Sequence, residues 1–301
     1  MTFDIGEQLK FRPEILDSKV LNFDNVVVGG MGGSALPARA VFYLDPVYPL
    51  WLHHEYGLPR KTEGKTLFVA ISYSGNTAET LSFAREAHSK SLPLAVITSG
   101  GALKDFAQQE NIARILVQEG LEPRDALVYM LRSLLLILGR TELLEEIDKV
   151  QIDPEKLDKE AKELADFMQD KESLIYSSEI NSVLGYIWKI FLNESAKMPA
   201  FSNSFPELAH NELESLNDDQ RIILLSDSND SPEIRKEMKM FLELAKESNW
   251  NTKEVSLDGS RAENLVGNVL LARSVAHNIA KRKGLDPDVV PTIEKFKRKL
   301  K

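Results

Sequence analysis

The stretch NVVVGGMGGSA (25–35) is a short β-branched run followed by a glycine-rich turn that leads into a helical segment. Similar short apolar runs recur through the first half of the chain, separated by segments with helical periodicity: YPLWLHH (48–54), TLFVAIS (66–72), LAVITS (94–99) and ARILV (113–117). Continuous apolar strands that alternate with helices are typical of a parallel sheet covered on both faces. The first half is therefore predicted to be an α/β module.

The second half shows the same organisation. Residues 141–172 carry dense charge and little β-branching, which predicts a helical connector. Three strand-like runs follow: SLIYSS (173–178), RIILLS (221–226) and TKEVSL (252–257). Two closing helices are predicted over 261–283 and 292–301. We therefore expect two α/β modules, 1–150 and 151–301.

Composition excludes several classes of protein. The chain has 301 residues, with 37 Lys plus Arg against 46 Asp plus Glu and a formal net charge of -9. A general nucleic-acid binder needs a basic surface, so no nucleic-acid partner is expected. Cysteine is absent, which excludes disulfides, thiolate zinc sites and cysteine nucleophiles. Neither a membrane-length apolar run nor a signal peptide is visible, which predicts a cytoplasmic protein with no membrane partner.

Two glycine- and serine-containing turns are candidates for binding a phosphate. GGMGGSA (29–35) places several amide donors at the start of a helix, and SYSGNT (72–77) adds three hydroxyls in the same strand-to-helix context. The first turn also satisfies G-x-G-x-x-A, and Glu55 near the end of the next strand keeps a dinucleotide site open as an alternative. For Thr77 alone, an ordinary helix cap is the other interpretation.

A weak internal repeat relates the two halves. VAISYSGNT (69–77) can be laid over ILLSDSNDS (223–231), so that hydroxyl-bearing residues coincide. The second copy contains Asp227 and Asp230, whose charges would repel an anion. We therefore predict that only the first copy holds a phosphate, with serine-rich turns of no binding function as the alternative.

Five separated motifs resemble one known family. GGMGGSA and SYSGNTAET resemble the sugar isomerase (SIS) domain, a flavodoxin-like module that binds phosphosugars at the C-terminal ends of its strands. The motifs of the second half resemble the bifunctional phosphoglucose/phosphomannose isomerases of the phosphoglucose isomerase superfamily: FLNESAK (191–197), SFPELAHNELES (204–215) and VPTIEKFKRKL (290–300). The resemblance spans nearly the whole chain. It implies two flavodoxin-like SIS modules with parallel sheets covered by helices.

The resemblance also implies an activity. It is that of an aldose-ketose isomerase that interconverts glucose 6-phosphate, and mannose 6-phosphate, with fructose 6-phosphate through a cis-enediol. No metal or other cofactor is implied, and the adjacent His53 and His54 would point to opposite faces of a strand, which makes a poor metal site. The residues implied to bind the substrate phosphate are Gly33, Ser34, Ser72, Ser74 and Thr77.

Glu194 is the candidate catalytic base. In a helix predicted from about 180 to 197, it falls roughly 20° from Ile187 on the apolar stripe, so its carboxylate is predicted to face inward. A carboxylate held in this way suits a general base. Without the resemblance, an ordinary surface pair with Lys197 would be the preferred interpretation.

His210 is the candidate for ring opening. The resemblance assigns it this role and implies a homodimer in which the partner subunit supplies it. A neutral imidazole can pass a proton between the ring oxygen and the anomeric hydroxyl near neutral pH. A lone histidine after a proline-started turn is otherwise a capping or packing residue.

Two cations complete the predicted site. Arg124 is predicted to open a long helix over 124–139, and the resemblance implies that it stabilises the enediolate. A salt bridge to Glu122 or Asp125 is the alternative. Lys297 matches the family's C-terminal active-site lysine, although a basic amphipathic terminal helix is usually just solvated.

Local sequence leaves three alternatives open. The family associates activity on both C2 epimers with a small residue near the C-terminus, and either Val290 or Thr292 could occupy that place. A non-catalytic SIS module that senses phosphosugars is the first rival function. A dinucleotide-dependent oxidoreductase built on GGMGGSA is the second.

Overall fold

The computed structural model describes residues 3–17, 23–61, 64–169 and 171–300. The chain divides into two compact units, Met1–Val150 and Gln151–Lys301. Each unit contains a parallel sheet flanked by helices, which confirms the predicted α/β class.

The first unit holds a five-stranded sheet. Its strands are β1 Asn25–Gly29, β2 Leu50–His53, β3 Thr66–Ile71, β4 Leu94–Thr98 and β5 Ala113–Leu116. Its helices are α1 Ile5–Lys10, α2 Leu36–Leu44, α3 Ala78–Ser89, α4 Gly101–Gln109, α5 Leu127–Ile137 and α6 Thr141–Asp148. The spatial order is β2-β1-β3-β4-β5, all parallel, which is the flavodoxin-like order.

The continuous apolar character of these strands follows from burial on both faces. All six residues of β3 are buried, and Val27 of β1 stands in register with Phe68 of β3. Phe68 packs against Phe83 of α3 in one apolar cluster of the core. The strand order reverses between β1 and β3, so the loops that follow these two strands open into one crevice.

The second unit holds a four-stranded parallel sheet of order β7-β6-β8-β9. Its strands are β6 Ser173–Ser178, β7 Ala200–Phe205, β8 Arg221–Asp227 and β9 Thr252–Leu257. Its helices are α7 Pro154–Met168, α8 Ser182–Glu194, α9 Pro232–Glu247, α10 Arg261–Arg282 and α11 Pro291–Lys299. Lys301, the last residue of the predicted closing helix, lies outside the described residues.

One strand was not predicted, and two local predictions were wrong. Strand β7 was not predicted, because AFSNSF lacks an apolar run; it is an edge strand with Phe201 exposed. The helix predicted from about 180 ends at Glu194 and not at Lys197, which has a positive φ of 54°. Arg124 does not open a helix, since α5 begins three residues later at Leu127.

Candidate active site

The two predicted phosphate loops lie next to each other at the switch point of the first sheet. One follows β1 and contains a 3-10 helix over Gly32–Ala35, and the other follows β3 and leads into α3. Ligands of open α/β sheets bind outside the carboxyl ends of the strands at such a reversal of strand order. The structure therefore brings Gly33, Ser34, Ser72, Ser74 and Thr77 to one edge of the sheet.

Tyr73 joins these loops to two others. Its backbone N–H donates to Ser34 Oγ at 3.0 Å, and its carbonyl accepts from Ser99 Oγ at 2.7 Å. Its hydroxyl donates to the Gln118 carbonyl at 2.7 Å and accepts from the Leu121 N–H at 3.0 Å. Burial raises the pKa of the Tyr73 hydroxyl, so it remains a neutral donor. This role of Tyr73 was not predicted, because nothing in SYSGNT marks the tyrosine as a connector.

The loop after β3 offers hydroxyls beside an open helix start. Ser72 Oγ donates to Thr77 Oγ1 at 3.0 Å, whereas Thr77 makes no side-chain capping bond to α3. Thr77 therefore stands at the N-cap position of α3, but its side chain forms no capping bond. Ser74 is exposed, and Gly75 takes a φ of +66°. A Cβ at Gly75 would lie 1.8 Å from the Gly100 carbonyl oxygen, so only glycine fits this close approach.

The corresponding turn of the second unit is built differently. Ser231 caps α9 by accepting from the Ile234 N–H at 3.3 Å. The Asn181 side-chain amide donates to Asp227 and Asp230, each at 3.3 Å, and Asp230 is 7% exposed. Burial raises the pKa of Asp230. This turn presents acidic side chains and a capped helix, where the first unit presents hydroxyls and an uncapped one.

Arg124 lies against the first phosphate loop. Its side chain is fully buried, and its Nη1 is 3.5 Å from Glu122 Oε2, so the ion pair considered as its alternative role is present. A Cβ at Gly33 would lie 2.6 Å from the backbone nitrogen of Arg124. The backbone of Arg124, the residue predicted to stabilise the enediolate, is therefore in direct contact with the predicted phosphate loop.

Glu194 is the last residue of α8 and is half-buried. Three residues on, the Lys197 ammonium donates to the Glu194 carbonyl and to the Val289 carbonyl. This lysine therefore ties the end of α8 to the segment that leads into α11. Val290, the N-cap of α11, follows the tied residue directly, and Thr292 lies exposed in the first turn of that helix.

His210 lies at the other end of the second sheet. It is exposed at the end of a 3-10 helix, Glu207–His210, which follows the cis peptide bond Phe205-Pro206. Strand β7 separates His210 from Glu194. Helix α8 returns the chain to the amino-terminal ends of the strands, and β7 then runs to their carboxyl-terminal ends. Six residues of strand span roughly 20 Å. Within one unit the structure therefore does not bring Glu194 and His210 together.

Lys297 is exposed on α11, with its Nζ 3.0 Å from Glu294 Oε1. All nine residues of this helix are exposed, as expected for the solvated alternative. In the described part of the second unit, the ion pair recorded for Lys297 is with Glu294, which is not a candidate site residue.

The structure gives no support to the dinucleotide interpretation. Glu55 is exposed beyond the end of β2. The recess that it lines together with Gly29–Met31 encloses essentially no volume, whereas ligand pockets usually have several hundred Å³. The described part of the chain holds no cluster of three metal-ligating acidic or histidine side chains. Within the same residues, no helix has the length and apolarity needed to cross a bilayer.

Comparisons with known proteins identify relatives of the whole chain. A bifunctional phosphoglucose/phosphomannose isomerase of Caldicellulosiruptor bescii is 32% identical over 99% of this chain and 97% of its own length. A second, from Thermoplasma volcanium, is 31% identical over 94% and 93%. The crystal structure of a hypothetical protein from Thermus thermophilus matches the fold, with a TM-score of 0.71 at 17% identity over 91% of this chain and 82% of that one.

A family model agrees with these relatives. Residues 157–300 match the model of the bacterial phospho-glucose isomerase C-terminal SIS domain, which covers most of the second unit. The two relatives cover 94% and 99% of this chain, and so align with both units. The chain therefore belongs to the family of bifunctional phosphoglucose/phosphomannose isomerases.

Proposed function

We propose that this chain is an isomerase that interconverts glucose 6-phosphate and mannose 6-phosphate with fructose 6-phosphate in the cytoplasm. Family membership supports the reaction. The observation that carries the substrate class is the switch-point crevice of the first unit, where hydroxyls and an uncapped helix start lie together. Backbone amides at a helix N-terminus and hydroxyl donors suit a phosphoryl group.

The phosphate anchor is assigned to the two loops of this crevice. The proposed ligands are the glycine, serine and threonine side chains and backbone amides predicted from the sequence: Gly33, Ser34, Ser72, Ser74 and Thr77. Tyr73 holds the loops at fixed spacing through bonds to Ser34 and Ser99, so the donors are arranged before the sugar binds. Arrangement in advance lowers the ordering cost of binding.

Proton transfer is assigned to Glu194. The carboxylate takes the proton from C2 of the open-chain aldose phosphate, the C2 electron pair becomes the C1–C2 double bond, and the aldehyde oxygen becomes the enediolate oxygen. The hydroxyl proton then moves from O2 to O1, and return of the carbon-bound proton to C1, as the C1–C2 double bond becomes the C2 carbonyl, gives the ketose. Arg124 is proposed to stabilise the negative oxygen of this intermediate, as a fixed cation does for a developing oxyanion.

One intermediate serves both aldose substrates. Glucose 6-phosphate and mannose 6-phosphate differ in configuration at C2, and this carbon is planar in the enediol. Returning the proton to either face gives either aldose. We place Val290 nearest to this carbon rather than Thr292, since the Lys197 bond to the Val289 carbonyl ties that segment to Glu194.

We propose a homodimer in which His210 acts in the site of the partner subunit. Glu194 and His210 must both reach one hexose, yet the two residues lie at opposite ends of the strands of the same sheet. A second copy related by two-fold symmetry removes this conflict, because each copy then supplies one of the two groups to each site. Lys297 is proposed as a further active-site cation, on the family resemblance alone.

The reaction is tested by incubating the protein with fructose 6-phosphate in D₂O and following the products by NMR. We expect deuterium at C2 of both aldose phosphates. Glu194→Gln should lower the rate by about 10²–10⁴-fold, the usual contribution of a positioned general base. Glu247→Gln, the same exchange at the last residue of α9, is the matched control and should leave the rate unchanged. Binding of fructose 6-phosphate without turnover would reject the isomerase in favour of a phosphosugar sensor.

The shared site is tested by mixing two impaired variants, Glu194→Gln and His210→Asn. In a mixed dimer, one site combines both changes and the other has neither. With equal amounts and random pairing, activity should recover to about a quarter of the wild-type value. If His210 serves its own subunit, no recovery occurs.

A further inference from the structure

Glu212 lies two residues beyond His210 and is held by the strands beneath it. Glu212 Oε2 accepts a hydrogen bond from the Tyr176 hydroxyl at 2.7 Å, and Glu212 Oε1 accepts one from the Asn203 side-chain amide at 2.7 Å. Tyr176 belongs to β6 and Asn203 to β7. Both carboxylate oxygens are therefore engaged by two neighbouring strands, and hydrogen bonds to an ionised acceptor are about twice as strong as neutral ones.

Tyr176 is a rigid support for this carboxylate. It is 1% exposed, and its ring packs edge-on against Phe205 and Phe241 at centroid distances of 6.5 and 5.7 Å. Burial, together with the bond to Glu212, raises the pKa of the Tyr176 hydroxyl, which keeps it a donor. Because a buried tyrosine hydroxyl needs a partner, the position of Glu212 is determined by the core of the second unit.

The loop is fixed on both sides of His210. Leu208, two residues before it, is fully buried in the apolar cluster that contains Tyr176. Glu212, two residues after it, also donates its backbone N–H to the Leu208 carbonyl at 2.9 Å. His210 itself is exposed between these two fixed points. The imidazole thus projects from a short segment whose two ends cannot move independently of the sheet.

We propose that Glu212 is a positioning residue for His210, held by Tyr176 and Asn203 so that the imidazole is presented at a fixed place for ring opening. This inference rests on the ring-opening role proposed for His210. Both oxygens of Glu212 are occupied within the unit, so it acts through the loop and transfers no proton. Displacing a reacting group by about 1 Å costs on the order of 10²-fold in rate, so loosening this loop should be costly.

The test compares alanine with glutamine at position 212. Glu212→Ala removes both bonds and should lower kcat/KM for fructose 6-phosphate by on the order of 10²-fold. Glu212→Gln should restore most of the activity, because its oxygen still accepts from Asn203 and its amide can donate to the Tyr176 oxygen. Glu214→Ala, at an exposed neighbouring position in the same loop, is the matched control and should behave as wild type.

A double-variant cycle asks whether Glu212 acts through His210. His210→Asn should retain the slow turnover fed by sugar that opens spontaneously in water, which the NMR assay detects. In this background Glu212→Ala should lower kcat/KM by less than about 2-fold, because the effects of substitutions in residues that act as a unit are not additive. Where Glu212→Ala is poorly folded by circular dichroism, Tyr176→Phe, which keeps the ring and removes one bond, takes its place with the same expected pattern.

The outcomes distinguish failure of the proposed isomerase function from failure of the positioning role of Glu212. An inert wild-type protein rejects the isomerase function itself. With an active wild type, equal loss in Glu212→Gln and Glu212→Ala makes Glu212 a proton-transfer group and overturns the positioning role. Full activity in Glu212→Ala, or an undiminished loss in the His210→Asn background, also overturns it.

Discussion

Replacing Gly33 with alanine tests whether the phosphate loop and Arg124 depend on one close backbone contact. The added Cβ would lie 2.6 Å from the Arg124 nitrogen, 2.7 Å from the Pro123 carbonyl carbon and 3.0 Å from the Arg124 Cα. All three are backbone atoms, which cannot rotate away as a side chain can. One of the two chain segments must therefore shift.

The size of the shift follows from these distances. Ordinary carbon contacts begin near 3.5 Å, so the closest pair must separate by about 0.9 Å. Such a displacement between two groups that serve one substrate should lower kcat/KM for fructose 6-phosphate by on the order of 10²-fold. Overpacking should also lower the free energy of unfolding by about 1–3 kcal/mol.

Gly32→Ala is the matched control. A Cβ there meets nothing within 4 Å, but Gly32 has a φ of +52°. Left-handed backbone should cost an alanine about 1–2 kcal/mol of stability, without displacing Arg124. Urea unfolding and the initial rate of aldose phosphate formation should therefore give similar stabilities for the two variants and very different activities. Wild-type activity in Gly33→Ala, or an equal loss in Gly32→Ala, would refute this reasoning.

Three stability predictions concern the second unit and are measured by urea unfolding. Gly267→Ala should stabilise the chain by up to about 1 kcal/mol, because this glycine lies inside α10 and a Cβ there meets nothing within 4 Å; a loss of stability would contradict that. Ser231→Ala should destabilise it by about 1 kcal/mol through loss of the α9 cap, and Ser248→Ala, just beyond the other end of α9, should not. Because burial raises the pKa of Asp230, the folded chain holds that proton more tightly than the unfolded chain, so stability falls as pH rises from the ordinary value of 3.8 through the folded pKa. Asp230→Asn should therefore be more stable than wild type above that range and equal to it below pH 3.8, and a pH-independent difference would count against the assignment.

Local sequence patterns predicted most of the fold because burial on both faces of a parallel strand demands a continuous apolar run. That rule located β1, β3 and β6 closely, since each combines β-branched or apolar residues with flanking Gly or Ser. It failed for β7, whose AFSNSF is polar because an edge strand pairs on one side alone and exposes Phe201. The same missing strand hid the separation of Glu194 from His210.

The sequence by itself determined the α/β class, the placing of the two glycine- and serine-containing turns after strands, and the family motifs, because these are properties of short continuous segments. Only the tertiary structure decided which groups meet. The pairing of Gly33 with the Arg124 backbone and the links made by Tyr73 join residues from 26 to 91 positions apart. The Tyr176–Glu212 bond spans 36 positions, and β7 places Glu194 and His210 at opposite ends of the strands of one sheet. Such contacts depend on strand order and on the packing of loops at the ends of strands, and no local periodicity encodes either.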